Sequence, residues 1–379
     1  MKFHLRDPGF VSVASVFELL DAPGNAQWTF HPPVHAMPEP FCFADGGDRE
    51  RLREYAAAMG ALSLFSVADA SVLACGIVAD ARGRVVPAET LGADEVLEPA
   101  HRSQLKWGAM TVDREAGFVQ PRPELGVKSL PGTTLVLAQG GIRTYGHWLL
   151  DVVPKLGLLD LLPRDVRLLL PGPLRPWQAE TLRLFGVPAE RLELYDPATT
   201  LLRCERALLL SHLRYNYAMS TLANIGFERL RAAVAGAGND ARPHRRLLVV
   251  RGQNARDRQS LRNMDEIRSL CFARGFEELE PGSLTLAQQI ELFSEAECIV
   301  GEQGSALHNA VFAPRGARVL CLHSRDAQFF AQSGIGMIRG QPTGYVFGEP
   351  LGVPDPDWPN RVFTVRPETV VRALDQLDL

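Results

Sequence analysis

No window of this 379-residue sequence approaches the roughly twenty consecutive apolar residues that a membrane-spanning helix needs. The opening MKFHLRDPGFVSVASVFELL is charged, but Asp7, Pro8 and Gly9 interrupt the apolar core of a secretory leader, so no signal peptide is expected. Cysteine is sparse and scattered (Cys42, Cys75, Cys204, Cys271, Cys298, Cys321), and no two form a CxxC pair. That excludes a zinc-ribbon pattern and gives no disulfide framework. Cysteines set in apolar runs such as ECIV and RVLCL read as buried free thiols, which fits a reducing cytoplasm. A net charge of -4 and a pI near 6.2 leave no overall electrostatic footprint for nucleic acid. The serine-nucleophile pattern GxSxG, the dinucleotide pattern GxGxxG and the Walker A pattern do not occur.

What is present is a globular chain, 46% hydrophobic and 22% charged, long enough for two domains. Residues 1 to about 130 are rich in Pro and Gly and read as irregular β-rich structure, with a helical candidate around RERLREYAAAMGAL. SVLACGIVADARGRVVPAET reads as two strands about a turn at Arg82–Gly83. From Thr133 strands and helices alternate. TTLVLAQ, VRLLLPG, RLELY and ERALLLSH read as strands, and helices are expected from Tyr145 to Leu162, over PWQAETLRLFG and from Ala218 to Val234. AGAGNDARPH is the best linker. Beyond it RRLLVVR, FEELE, ECIVG and ARVLCL alternate with helices over NMDEIRSLCFARG, TLAQQIELFSEA and SALHNAVFAP, and a last helix runs from about Glu368 to Leu377. The expected architecture is α/β, with an N-terminal domain over 1–236 and a C-terminal domain over 242–379. A ligand cleft is expected where two such blocks meet.

Three stretches could carry chemistry. In ECIVGEQGSALHNAVF a strand ends at Gly301, a turn holds Gly304 and a helix is expected from Ser305. A helix start offers free N–H groups and partial positive charge to a phosphate, and glycine allows close approach. The plainer reading is an ordinary strand-to-helix turn with Ser305 as N-cap. In RGQNARDRQSLRN, Arg251, Arg256, Arg258 and Arg262 crowd the loop after a strand, where arginines can pair with phosphate oxygens. For most of these four a solvated basic loop is the plainer reading. Asn263 and Glu266 have the spacing of a capping box. In YGHWLLDVVPKLGLL, Trp148, Leu149, Val152, Leu156 and Leu159 form an apolar stripe, while His147 and Asp151 stand four residues apart and can touch. An imidazole held by a carboxylate is a good general base, although such pairs are more often structural. Pro154 should kink this helix at Leu150. Asp355 and Asp357 have the DxD spacing of metal-dependent sugar transferases but sit in a Pro-rich run read as loop. His31 and His35 lack a third ligand.

Together, YGHWLLDVVPKL, LLVVRGQNARDRQSLRNMDEI and LTLAQQIELFSEAECIVGEQGSALHNAVFAPRGARVL resemble, in order and spacing, glycosyltransferase family 61, which includes bacterial capsular polysaccharide biosynthesis proteins. The resemblance spans about Gly140 to Leu322. It implies a GT-B fold of two Rossmann-like domains and inverting transfer without an obligatory metal or other cofactor. The donor would be a nucleotide-sugar, with a UDP-sugar favoured, and the acceptor a glycan or other hydroxyl, with peripheral contact to a membrane-linked acceptor allowed. Carried over by position, Arg251, Asn263, Glu266, Gln303, Gly304, Ser305, Ala306, His308 and Asn309 become donor-site candidates. His147 and Asp151 become the acceptor-side catalytic candidates, with either His147 oriented by Asp151 or Asp151 itself as the base. Where the family has a GxHGA-type turn this chain has Gln303, and His308 stands where Thr or Ser is common.

Two rivals stay open. A dinucleotide- or S-adenosylmethionine-dependent enzyme (a dehydrogenase or methyltransferase) needs a glycine-rich turn with an acidic residue about twenty positions on. Gly140, Gly141 and Asp160 come near that pattern with the wrong spacing. A non-catalytic sugar-binding relative has Gln303 as its one hint.

Overall fold

The computed structural model describes residues 2–4, 9–30, 61–86, 107–113, 115–215, 218–235, 243–252, 261–326, 329–352 and 362–376. The helical candidate around residues 49–62, the linker, His31, His35, Cys42, Arg256, Arg258, Asp355 and Asp357 lie wholly or largely outside them. Among the described residues no helix is long and apolar enough to cross a membrane. The chain divides into two compact units, with the boundary between Leu213 and Arg214, upstream of the division expected after residue 236.

The first unit contains β1 (Phe3–His4), β2 (Val11–Val13), β3 (Ala26–Phe30), β4 (Leu62–Leu73), β5 (Ile77–Ala79), β6 (Met110–Asp113), β7 (Phe118–Pro121), β8 (Gly126–Val136), β9 (Arg167–Pro171), β10 (Leu192–Tyr195) and β11 (Thr200–Leu210). Its main sheet runs β10-β9-β8-β11-β4-β3-β2. The four strands β8 to β11 are parallel and stand in the order third, second, first, fourth, half of a dinucleotide-fold sheet. Leu168, Leu169 and Leu170 of β9 are all 0% exposed, so this strand has no wet face, as expected of a parallel strand covered on both sides. The stretch expected to be irregular instead supplies β2, β3 and β4 to the same sheet, β4 pairing antiparallel with β11 from Leu64 to Val72. Its first turn comes earlier than expected, at Ala74–Gly76. A side chain on Gly76 would collide with the Ala138 carbonyl, and Cys75 Sγ donates to Gln139 O at 3.0 Å. This turn therefore braces the loop that leaves β8. The Arg82–Gly83 turn also forms, with Asp80 Oδ1 accepting from the N–H groups of Arg82 and Arg84.

The second unit contains β12 (Arg214–Tyr215), β13 (Ala218–Met219), β14 (Arg245–Val249), β15 (Glu277–Leu279), β16 (Ala296–Glu302), β17 (Arg318–Ser324), β18 (Thr343–Pro350) and β19 (Phe363–Thr364). The sheet order is β15-β14-β16-β17-β18-β19, parallel from β15 through β18. By chain order this is 2-1-3-4-5, the flavodoxin-type doubly wound sheet. The helices Met264–Phe272 and Leu286–Ser294 fall where expected. The helix Ala331–Arg339 and β18 are among the elements that were not expected. All nine residues of that helix are buried, so it has no polar face to give a helical period. Gly336 lets it lie against β18, since a Cβ there would strike the Thr343 hydroxyl.

The helix expected from Ala218 begins at Ala223, because Ala218 and Met219 are spent in the β12–β13 hairpin. It packs within the second unit. Asn224 Nδ2 donates to Ile338 O at 2.7 Å, Phe227 meets Phe312 edge-on, and Glu228 pairs with the buried Arg339. Burial pushes the Glu228 carboxyl up, but the charge and hydrogen bond of Arg339, joined by Arg231, outweigh that and hold it below its ordinary 4.5. A depressed carboxyl stabilises the fold above its unfolded pKa, and that contribution is lost as pH falls through the folded one. We therefore expect Glu228→Gln to flatten the fall of melting temperature between about pH 5 and pH 3 relative to wild type. Parallel melting curves for the two chains would contradict this pairing.

Candidate active site

In a doubly wound sheet ligands bind beyond the carboxyl ends of the strands, where the order reverses. In the first unit that point lies at β8, with β9 and β10 on one side and β11 on the other. The loop leaving β8 turns at Gly141 (φ 76°) and enters a helical run over residues 145–157. His147 lies over Gly141, where a Cβ would come within 2.8 Å of the ring. Its Nδ1 is 2.8 Å from Asp151 Oδ2. The carboxylate accepts a hydrogen bond from Nδ1–H, which favours that tautomer and leaves Nε2 as the basic nitrogen. Exposure separates the two roles: the His147 side chain is 43% accessible and that of Asp151 5%.

The helical run is not uniform. Tyr145–His147 and Val153–Gly157 are α-helical, but Trp148–Val152 forms a π turn, in which Val153 N–H donates to Trp148 O. Pro154 has no N–H to give Leu150 O and would crowd it, so widening by one residue replaces the expected kink. Asp151 sits in this turn. Trp148 Nε1 donates to Thr181 Oγ1 at 3.0 Å, anchoring the run to the helix Pro176–Leu184. Sequence reasoning missed two neighbours. Lys155 is 1% exposed and donates to Gln139 Oε1 at 3.1 Å, and Gln139 is itself 2% exposed. Their signal was a lone lysine inside an apolar helix, since a buried lysine requires a partner.

In the second unit the order reverses between β14 and β16. Arg251 follows β14, and β16 ends at Glu302, ahead of a half-exposed turn formed by Gln303, Gly304, Ser305 and Ala306. Arg251 runs beneath this turn, donating to Gln303 O with Nε 3.7 Å from Glu302 Oε2. Burial pulls its pKa below the ordinary arginine value, and the charge of Glu302 opposes that pull. Gly304 has φ 143°, and a Cβ there would strike the Arg251 guanidinium. Glycine is thus required twice over.

The expected helix at Ser305 is a six-residue 3-10 segment, Leu307–Phe312, with Ala306 rather than Ser305 at its cap. So short a segment has little dipole to offer an anion. His308 and Asn309 are buried within it. Asn309 Nδ2 donates to Gln289 Oε1 at 2.9 Å and to Ala306 O at 3.1 Å, so this amide secures the turn from below. Asn263 does not form its capping-box bond. Its amide donates to Val365 O and Glu266 Oε2 and accepts from Val365 N–H, tying the start of the 264–272 helix to the chain beyond β19. Arg251, Gln303, Gly304, Ser305 and Ala306 therefore form one surface, while Asn263, Glu266, His308 and Asn309 support its surroundings. Glu302, 6% exposed, was not anticipated, although it is a carboxylate at the carboxyl end of the strand, directly after the apolar run CIVG.

An accessible imidazole held by a buried carboxylate stands at one sheet's switch point, and a glycine turn over a half-buried arginine at the other. Residues 145–320, which hold both sites, match the family model described as Glycosyltransferase 61. The chain thus carries, over that span, a glycosyltransferase family 61 domain. No curated protein matches the chain.

The turn gives a direct check. Gly304→Ala should cost about 1–3 kcal/mol in backbone strain alone, read as a lower denaturant midpoint, because a side chain is disfavoured at this φ. An unchanged midpoint would mean that Gly304 does not hold the positive φ described.

Proposed function

We propose that this enzyme moves a sugar from a nucleotide-sugar, with a UDP-sugar favoured, to a hydroxyl of a glycan acceptor. The transfer is a single inverting displacement that needs no metal ion. The pair of His147 and Asp151 at 2.8 Å, one accessible and one buried, is the observation that carries this reading. His147 Nε2 takes the acceptor hydroxyl proton as that oxygen forms its bond to the sugar C1. The C1–O bond to the diphosphate breaks, and its electron pair leaves with the nucleotide. Asp151 is too deeply buried to meet an acceptor, which favours His147 as the base, with Asp151 holding the ring and balancing the imidazolium charge.

The second unit supplies the donor side, with the backbone of the 303–306 turn and the charge of Arg251 beneath it facing the departing diphosphate. One α/β unit for each substrate, as in a GT-B enzyme, accords with the two switch points. By analogy with the family, we place the reaction in polysaccharide biosynthesis in the cytoplasm, capsular polysaccharide included.

The test is turnover of a UDP-sugar panel with and without EDTA. Activity should survive EDTA, and His147→Ala should lower kcat by roughly 10²–10⁴-fold while UDP still raises the melting temperature. Full activity of His147→Ala would end this assignment. Loss of turnover on chelation would end the metal-free mechanism, and a chain that turns over no nucleotide-sugar would be a binding relative.

A further inference from the structure

At the first unit's carboxyl edge the helical run presents His147, Asp151 and Lys155 at four-residue spacing. Both ends of that stripe meet the loop leaving β8. His147 lies over Gly141, and Lys155 donates to Gln139 Oε1 at 3.1 Å. Asp151 stands between them, so a buried carboxylate has an imidazole on one side and an ammonium on the other.

Gln139 turns its amide oxygen to the ammonium, and its Nε2 has no hydrogen bond among the described residues. The opposite orientation would set amide donors against an ammonium that has only donors. An amide dipole does not neutralise a charge, and a lysine 1% exposed needs a carboxylate. Asp151 is a carboxylate on the same face. Arg143, Cys75 and Tyr195, ionisable side chains of the adjoining loop, turn and strand, are directed to backbone carbonyls. Arg143 donates to Gly172 O at 2.6 Å, Cys75 Sγ to Gln139 O at 3.0 Å and Tyr195 Oη to Ala74 O at 2.5 Å. The helix Pro176–Leu184 meets the run with uncharged side chains, Thr181 accepting from Trp148 and Gln178 donating to Ile142 O.

A buried carboxylate with no other partner holds its imidazole in the protonated form, and a protonated imidazole cannot act as a base. An ammonium on the far side of the carboxylate offsets part of that pull. The two buried charges cancel at rest, which leaves the imidazole neutral and ready for the acceptor proton. Resting on the reading of His147 as the base, we propose that Lys155, held by Gln139, is a positioning residue that shares the charge of Asp151 and keeps His147 neutral until the acceptor arrives. Without the ammonium the whole carboxylate charge falls to His147, and the ring holds its proton to higher pH.

The experiment is a carbon-13 NMR titration of the His147 ring in the full chain, assigned by its absence in His147→Gln. It is run beside kcat/KM against pH for the UDP-sugar that the panel above shows to be turned over. Lys155→Gln removes the charge, while its amide can still donate to Gln139 Oε1. Its His147 midpoint should lie about 0.5–1 pH unit above wild type, less than for a fully buried pair because the His147 side chain is 43% accessible. The ascending limb of kcat/KM should move with it. In Asp151→Asn the ammonium has lost the charge it shares, and the His147 midpoint should fall below about 6.5, the ordinary imidazole value. That variant carries the test if Lys155→Gln does not fold. A Lys155→Gln midpoint at or below wild type, or an Asp151→Asn midpoint at or above about 6.5, would overturn the proposal and leave His147 as the base. Full activity of His147→Gln would instead remove the base reading, and with it the catalytic meaning of the lysine.

Discussion

A parallel sheet leaves space at its carboxyl edge only where neighbouring strands send their connections in opposite directions. In the first unit β8 is the strand about which the order reverses, and in the second the reversal lies between β14 and β16. The chemistry follows from that constraint. The loop leaving β8 delivers Gln139, Gly141 and His147 to one such edge. The ends of β14 and β16 deliver Arg251, Glu302 and the 303–306 turn to the other.

At both edges charge is managed by burial. Asp151 is withdrawn into a π turn and presents a fixed acceptor to an accessible imidazole, so the ring that meets solvent is already oriented. Arg251 is withdrawn beneath the Gly304 turn, where Glu302 balances it. In each case the more deeply buried group fixes the geometry and its half-exposed neighbour faces solvent. Two donor candidates, Asn263 and Asn309, spend both donors of their amide groups on protein partners.

Much of this was legible in the sequence. The continuous apolar runs RLLLP and ECIV announced fully buried strands, and the four-residue spacing of His147 and Asp151 announced their contact. Other parts were hidden for physical reasons. The helix Ala331–Arg339 is buried all round and carries two glycines, so neither period nor propensity marks it. β4 lies in a stretch broken by turns, and its partner β11 is more than a hundred residues away, a pairing that no local pattern encodes. The shortening of the 307–312 segment was equally out of reach, because the burial of all six of its residues is set by tertiary packing. Pro154 gave a true signal of irregularity whose form, a widened turn rather than a kink, depended on the surrounding anchors.

The central claim is that an imidazole held by a buried carboxylate drives the transfer, and the pH dependence of kcat/KM tests it most directly. In wild type the rate should climb along a single ascending limb as the free-enzyme base loses its proton. That limb should vanish in His147→Gln and persist at lower amplitude in Asp151→Asn. A limb that survives in His147→Gln and disappears in Asp151→Asn would contradict the account and make the buried carboxylate the base.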